Sequence, residues 1–327
     1  MMVELKYPLF DGERVWDGAC VTVEDGMITS VKPCEREACG DGFLMPGLID
    51  AHTHMETMDQ ARSMTSAGIT ATFDVNGNAS LVRDSRDLRI VSSAGMAMGI
   101  VMNPGGFVER AAQSGARYIK VLLFGKHSVG RRALNGIVRA AHERGLKVAV
   151  HATETETVRQ AVDAGADILL HVPMKEKYPE ELAQEIAEKR IAVAPTLVMM
   201  ETFANSRRNG YRPEHYRNAE DAVSLLHRCG VQILVATDAN SGSFAPAVAF
   251  GSSIHREMGL LVRCGLTPAE VLAGATGRSV AAFGIDRLGM IQEGWPADLL
   301  LVGGRPDQTI ADTALIRQLW VGGKQII

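Results

Sequence analysis

His52 and His54 stand two residues apart at the end of an apolar run, Leu48-Ile-Asp-Ala-His-Thr-His. In an extended strand, residues i and i+2 share a face, so both imidazoles address one point. His151 closes Val148-Ala-Val-His, His171 closes Ile168-Leu-Leu-His, and Asp238 closes Leu234-Val-Ala-Thr-Asp. A single histidine in such a place is ordinarily a satisfied core or rim residue. Four histidines and an aspartate, each ending an apolar run, form a donor set suited to zinc or a similar borderline cation. Lys120 lies inside Tyr118-Ile-Lys-Val-Leu-Leu-Phe. A strand lysine commonly snorkels to solvent, and beside cations an ammonium would be repelled. Carbamylation by CO2 would instead make it an anion able to bridge two metals.

These residues need elements that end at a common point. From Leu44 onward, short apolar runs alternate with helix-length segments, the pattern of parallel strands joined by crossover helices. The runs predict strands over 47–54, 69–75, 93–100, 118–124, 147–153, 168–172, 191–197 and 232–239. Eight is the number that closes a (β/α)8 TIM barrel, whose active sites sit at the C-terminal ends of the strands. Between them, helices are predicted over 129–144, 155–164 and 213–229, ended by Gly145, Gly165 and Gly230. Thr267-Pro-Ala-Glu opens a further helix as a capping box with Pro268 at its first position. Short strand-like pieces with glycine turns occupy both ends. The expected organisation is a barrel over 47–285 and a small β-sandwich made from 1–46 and 286–327.

Composition narrows the chemistry. The chain has 327 residues, 46% hydrophobic and 22% charged, with a net charge of -4 and no basic run. A phosphate-backbone binder would need clustered Lys and Arg, so a small-molecule substrate is expected and nucleic acid is not. Cys20, Cys34, Cys39, Cys229 and Cys264 are an odd, scattered set without a C-x-x-C pair, which favours free thiols in a reducing compartment over a disulfide framework. The first residues lack a basic stretch followed by an apolar one, and no long uncharged apolar run occurs. A cytoplasmic protein with no membrane partner is expected, with a homo-oligomer left open.

Taken together, Met45-Pro-Gly-Leu-Ile-Asp-Ala-His-Thr-His, Ile119-Lys120, Val150-His-Ala, Leu170-His, Ala236-Thr-Asp and Gly294-Trp-Pro-Ala-Asp-Leu-Leu-Leu-Val resemble the amidohydrolase superfamily. The likeness is to the branch of Xaa-Pro and Xaa-Arg dipeptidases and imidazolonepropionase-like proteins. The resemblance implies that His52 and His54 bind a buried metal, that His151 and His171 bind a more exposed one, and that carboxylated Lys120 bridges them. Asp238 would bind the first metal and shuttle the proton. The implied cofactors are two divalent ions, with zinc the expected metal. The implied reaction is hydrolysis of an amide or peptide-like C–N bond through a hydroxide bridging the two metals. Two-metal hydrolysis of a lactone or other ester, mononuclear hydrolytic deamination, and a non-catalytic binding role stay open. His127, Thr196, Asn240, His255 and Asn76 are candidate substrate contacts that could equally cap helices or turns, and Met199-Met200 reads as gap-filling core.

Overall fold

The computed structural model describes residues 2–243 and 245–327. The N-terminal segment forms β1 (Met2–Phe10), β2 (Val15–Glu24), β3 (Met27–Pro33) and β4 (Phe43–Pro46). The central body follows with β5 (Leu48–Thr53), β6 (Ile69–Asp74), β7 (Arg89–Ser92), β8 (Met96–Ala97), β9 (Ile119–Leu123), β10 (Val148–Ala152), β11 (Ile168–Leu170) and β12 (Ala192–Ala194). The chain ends with β13 (Leu299–Val302), β14 (Ile316–Val321) and β15 (Lys324–Gln325). No helix among the described residues is long and apolar enough to cross a membrane.

The central strands pair in parallel as β5-β6-β7 and as β12-β11-β10-β9-β8. Every residue of β5 and β6 is buried, as expected for strands covered on both faces by crossover helices. Helix Thr155–Ala164 ends at Gly165, which takes the left-handed φ of 82° that spares a side chain the steric cost. The Thr267–Glu270 capping box forms with Pro268 at the first helical position. The helix predicted over 213–229 divides into a 3-10 turn, Pro213–His215, and an α-helix, Tyr216–Arg228.

Two strand predictions need correction. In place of one strand over 93–100 there are β7 and the two-residue β8, separated by a turn at Ala94 (φ 53°) and Gly95 (φ 105°). The turn is fixed by side chains: the Ser92 hydroxyl accepts from Ala94 N at 3.0 Å, and Ser93 donates to Gly95 O at 2.8 Å. The segment over 232–239 is not a continuous strand but makes isolated bridges, Val193 with Ile233 and Thr53 with Ala239. The cause is the end of helix Pro268–Gly274, whose carbonyls enter the space beside it. Gly274 O accepts from Val235 N and Ala275 O from Ile49 N, at 3.1 and 2.7 Å. Even so, Ala51 N bonds to Val235 O, Asp238 N to His52 O and His54 N to Ala239 O, each at 2.9 Å.

The two ends of the chain meet in one seven-stranded sheet of order β15-β14-β13-β4-β1-β2-β3. Its core draws on Leu9, Val21, Ile28, Leu44, Leu299 and Trp320. The turn at Asp25-Gly26 packs against the turn at Gly322-Gly323, where a Cβ on Gly26 would lie 2.4 Å from Gly322 O. Asp298 locks this sheet to the central body, accepting from Nε and Nη2 of Arg89 at 2.5 and 2.9 Å and from Gly322 N at 2.6 Å. Cys34 and Cys39, distant from any other cysteine pattern in the sequence, bring their sulfurs to 3.6 Å at the connection from β3 to β4.

Candidate metal centre

Six side chains converge where the central strands end. His52 lies in β5, Lys120 in β9 and His151 in β10, His54 and His171 follow immediately on strand ends, and Asp238 sits in the bridged segment over 232–239. The β5–β6 register shifts between Asp50 and Thr53. Two of the residues that deliver the groups are strained: His171 has φ 72° and Asp238 φ 57°. Left-handed backbone on a branched or bulky residue persists only where surrounding bonds hold it, and such strain clusters at functional sites. Here His171 N donates to Ala194 O and Asp238 N to His52 O.

Oδ1 of Asp238 lies 3.0 Å from Nε2 of His54 and 3.3 Å from Nε2 of His52. His52, His171 and Asp238 each present a ligand atom within 4.8 Å of the others. The His151 and His171 rings are 4.4 Å apart, centroid to centroid. Second partners fix the tautomers. The amide of Asn76 donates to Met55 O at 3.2 Å, so its oxygen faces His54 Nδ1 at 3.2 Å and that nitrogen carries the proton. The Thr196 hydroxyl gives its hydrogen to Pro195 O at 2.8 Å and accepts from His171 Nδ1 at 2.7 Å. Both Nε2 atoms are therefore left with lone pairs toward the centre.

Burial first, and then the charge of Lys120 or the neighbouring imidazoles, holds His52, His151 and His171 well below the usual histidine range. They are neutral, the form that ligates metal. Burial also draws Lys120 down to about 7, against the opposing pull of Asp238. Lys120 Nζ, His151 Nε2 and Asp238 Oδ1 are buried with no hydrogen-bond partner. Unsatisfied groups of this kind are rare and costly, and lone pairs on Asp238 and two imidazoles facing one another are reconciled by cations. The residues present fit a divalent metal.

A cavity of about 550 Å³ opens over these groups. Of the candidate substrate contacts, exposed His127 lines it. Thr196 stands behind His171, as Asn76 stands behind His54. Asn240 braces the following loop, donating to Asp238 O at 2.9 Å and accepting from Gly242 N at 2.8 Å. His255 faces Thr313 Oγ1 at 3.0 Å. None of Thr196, Asn240 and His255 is among the lining residues. Met199 and Met200 are buried as the sequence implies, and both line the cavity.

Two buried carboxylates support the site without being singled out by the sequence reading. Asp50 accepts from Thr237 N and Thr237 Oγ1 at 3.0 and 2.5 Å and from His52 N at 3.2 Å, tying the His52 strand to the Asp238 segment. Its signal was a charge in the middle of an apolar strand. Glu257 accepts from Leu197 N at 2.9 Å and Val198 N at 2.7 Å, capping the helix Leu197–Ser206 that begins beside Thr196. It had no local signal, since its partners lie 60 and 59 residues away.

Thr196→Val removes the acceptor that orients His171 and is expected to weaken metal affinity about 10–100-fold, as read by chelator competition. An unchanged affinity would remove Thr196 from the account. Burial pushes Glu257 up to about 8 from 4.5 despite its two N–H donors. A raised folded-state value means stability fully present below 4.5 and lost as pH rises through about 8. The melting temperature of the wild type relative to Glu257→Gln is therefore expected to fall between pH 5 and pH 9. A difference that is flat or grows would contradict this.

Comparison with known proteins agrees with the geometry. Residues 43–326 match the amidohydrolase family. The chain is 27% identical over 192 residues to imidazolonepropionase of Pseudoalteromonas atlantica (strain T6c / ATCC BAA-1087), a stretch covering 58% of this chain and 43% of that protein. The match thus spans less than half the length of that relative. Among solved structures, a Xaa-Pro dipeptidase with methionine bound in its active site superposes with a TM-score of 0.84 at 19% identity, covering 99% of each chain. A. niger ochratoxinase does so with a TM-score of 0.81 at 21% identity, covering 99% of this chain and 95% of that one. At such identities the structural likeness speaks for the fold. On the family match and the site it encloses, the chain belongs to the amidohydrolase family.

Proposed function

We propose that the protein is a metal-dependent hydrolase of small-molecule C–N bonds, of amide or peptide-like type, working through two divalent cations. The observation that carries this is the set of three buried orphan atoms, Lys120 Nζ, His151 Nε2 and Asp238 Oδ1, amid neutral imidazoles. His52, His54 and Asp238 would hold one cation and His151 and His171 the other, with carboxylated Lys120 between them. The nitrogen-rich donor set favours zinc. Bound there, the cations would supply Lewis acidity and lower the pKa of an attacking water. Asp238 would carry a proton from the attacking water to the leaving nitrogen. Asn76 and Thr196 keep the imidazoles in the ligating tautomer. Lys120, drawn to about 7 by burial, has a substantial uncharged fraction at neutral pH, the form that reacts with CO2.

The same reading closes the central strands into a (β/α)8 barrel over 47–285. It is supported by one apolar cluster that includes Ile49, Phe73, Val91, Ala149, Leu170 and Leu234, side chains from around the whole ring. Residues 1–46 and 286–327 form the small β-sandwich. The support is Ile28 N bonding to Trp295 O at 2.8 Å, which folds the far edge of the terminal sheet back toward β13. The test is release of free amine from a panel of N-acyl amides by protein loaded with zinc and bicarbonate. Turnover lost on chelation and restored by zinc is the expected result. Turnover indifferent to chelation would reject a metal-dependent reaction.

A further inference from the structure

The wall of the cavity, rather than its floor, bears on which amide enters. Leu122, Phe124, Met174, Met199, Met200 and Phe203 line it. They come from β9 and its exit, the stretch after β11 and the helix Leu197–Ser206. Met96 and Met98 complete the side nearest β8. The polar additions are His127, Thr153 and Tyr211. Thr153 Oγ1 is buried beside the Tyr211 hydroxyl, and burial raises the Tyr211 phenol above its ordinary value, so it stays neutral. Among the described residues no arginine lines the cavity, and its one lysine is Lys120. Lys175 stacks its ammonium 4.5 Å from the centroid of the Tyr211 ring but is not a lining residue.

A free carboxylate held against that wall, away from the metals on the floor, would shed its water with no arginine or lysine side chain to receive it, a costly transfer. Recognition of that group commonly relies on a positioned arginine or lysine. Methionines, being unbranched and polarizable, accommodate apolar bodies of varied shape, and a volume of about 550 Å³ has room for one of aromatic size. We propose that the substrate is an uncharged amide carrying an aromatic or branched aliphatic body. Its own polar atoms meet the Thr153 and Tyr211 hydroxyls, and amides bearing a free carboxylate, including dipeptides, are disfavoured. This rests on the hydrolase reading and deepens it.

The test uses two metal-chelating probes on one zinc-loaded preparation, 3-phenylpropanohydroxamate and its ring 4-carboxylate analogue, titrated calorimetrically. The zinc content of the same sample is measured beside them. The neutral probe is expected to bind at least about tenfold more tightly, the ratio that corresponds to about 1.4 kcal/mol. Met98→Arg, a change at a side chain already 47% exposed, adds a cation at the rim and is expected to narrow that ratio. Equal or tighter binding of the carboxylate by the wild type overturns the substrate class, as does failure of both probes to bind a zinc-loaded chain. A chain that retains no zinc defeats the metal reading separately. The preference is then read with the two corresponding primary amides by ligand-observed NMR, and absence of preference there again overturns it.

Discussion

Asp238→Asn is expected to lower kcat by about 10²–10⁴-fold, the range associated with loss of a positioned proton carrier, while the fold survives. Asparagine keeps the shape of the side chain, and the bonds that hold residue 238 are made by its main chain: N to His52 O, and O from Asn240 Nδ2. What changes is the chemistry at Oδ1, which faces Nε2 of His54 and His52 at 3.0 and 3.3 Å. In the metal-free wild type a carboxylate oxygen meets the lone pair of His54 Nε2. An amide can donate to it, so the metal-free variant should melt no lower than the wild type even as metal affinity drops. Steady-state kinetics beside melting curves check this. A variant with near wild-type kcat would remove Asp238 from proton transfer.

Lys120→Met is expected to stabilise the metal-free protein and to abolish the binuclear centre. Lys120 is 2% exposed and its Nζ has no hydrogen-bond partner, so methionine fills the same space without a buried amine. The folded-state value of about 7 lies below the ordinary lysine value of 10.5. The unfolded chain therefore binds more protons between those values, and the stability Lys120 allows is present above 10.5 and lost as pH falls toward about 7. The gain from Lys120→Met should be on the order of 3 kcal/mol near neutral pH, from the energy equivalent of the shift with allowance for relaxation. It should shrink by pH 10. Urea unfolding of both chelated proteins at the two pH values measures it. A destabilised variant would mean that Lys120 supports the fold rather than the metals, a reversal of the usual exchange between stability and function.

The convergence of these six side chains was legible because each interrupts or ends an apolar run, an arrangement whose pattern is local. His52, His54, Lys120, His151, His171 and Asp238 all come together as that pattern implies. Helix ends marked by Gly165 and Thr267 were legible for the same reason. Features that depend on distant partners were not. Strand β7 begins at Arg89, which reads as a surface charge until Asp298, 209 residues away, neutralises it. The break before β8 needs the left-handed Ala94, a residue with no turn signature. The interruption of 232–239 is imposed by helix Pro268–Gly274. A methionine at the cavity wall and one in the core look alike in sequence, so Met199 and Met200 disclose their place only once Leu197–Ser206 is seen packed over the strand ends.

The central claim is two metals joined through a modified Lys120, and metal content tests it most directly. Protein produced with zinc and ¹³C-bicarbonate would be measured by elemental analysis and by carbon NMR, with Lys120→Met alongside. The account predicts about two zinc ions per chain, a carbamate carbon signal, and loss of both the signal and the second ion in the variant. One ion or none, with no carbamate signal and no change in the variant, would contradict it.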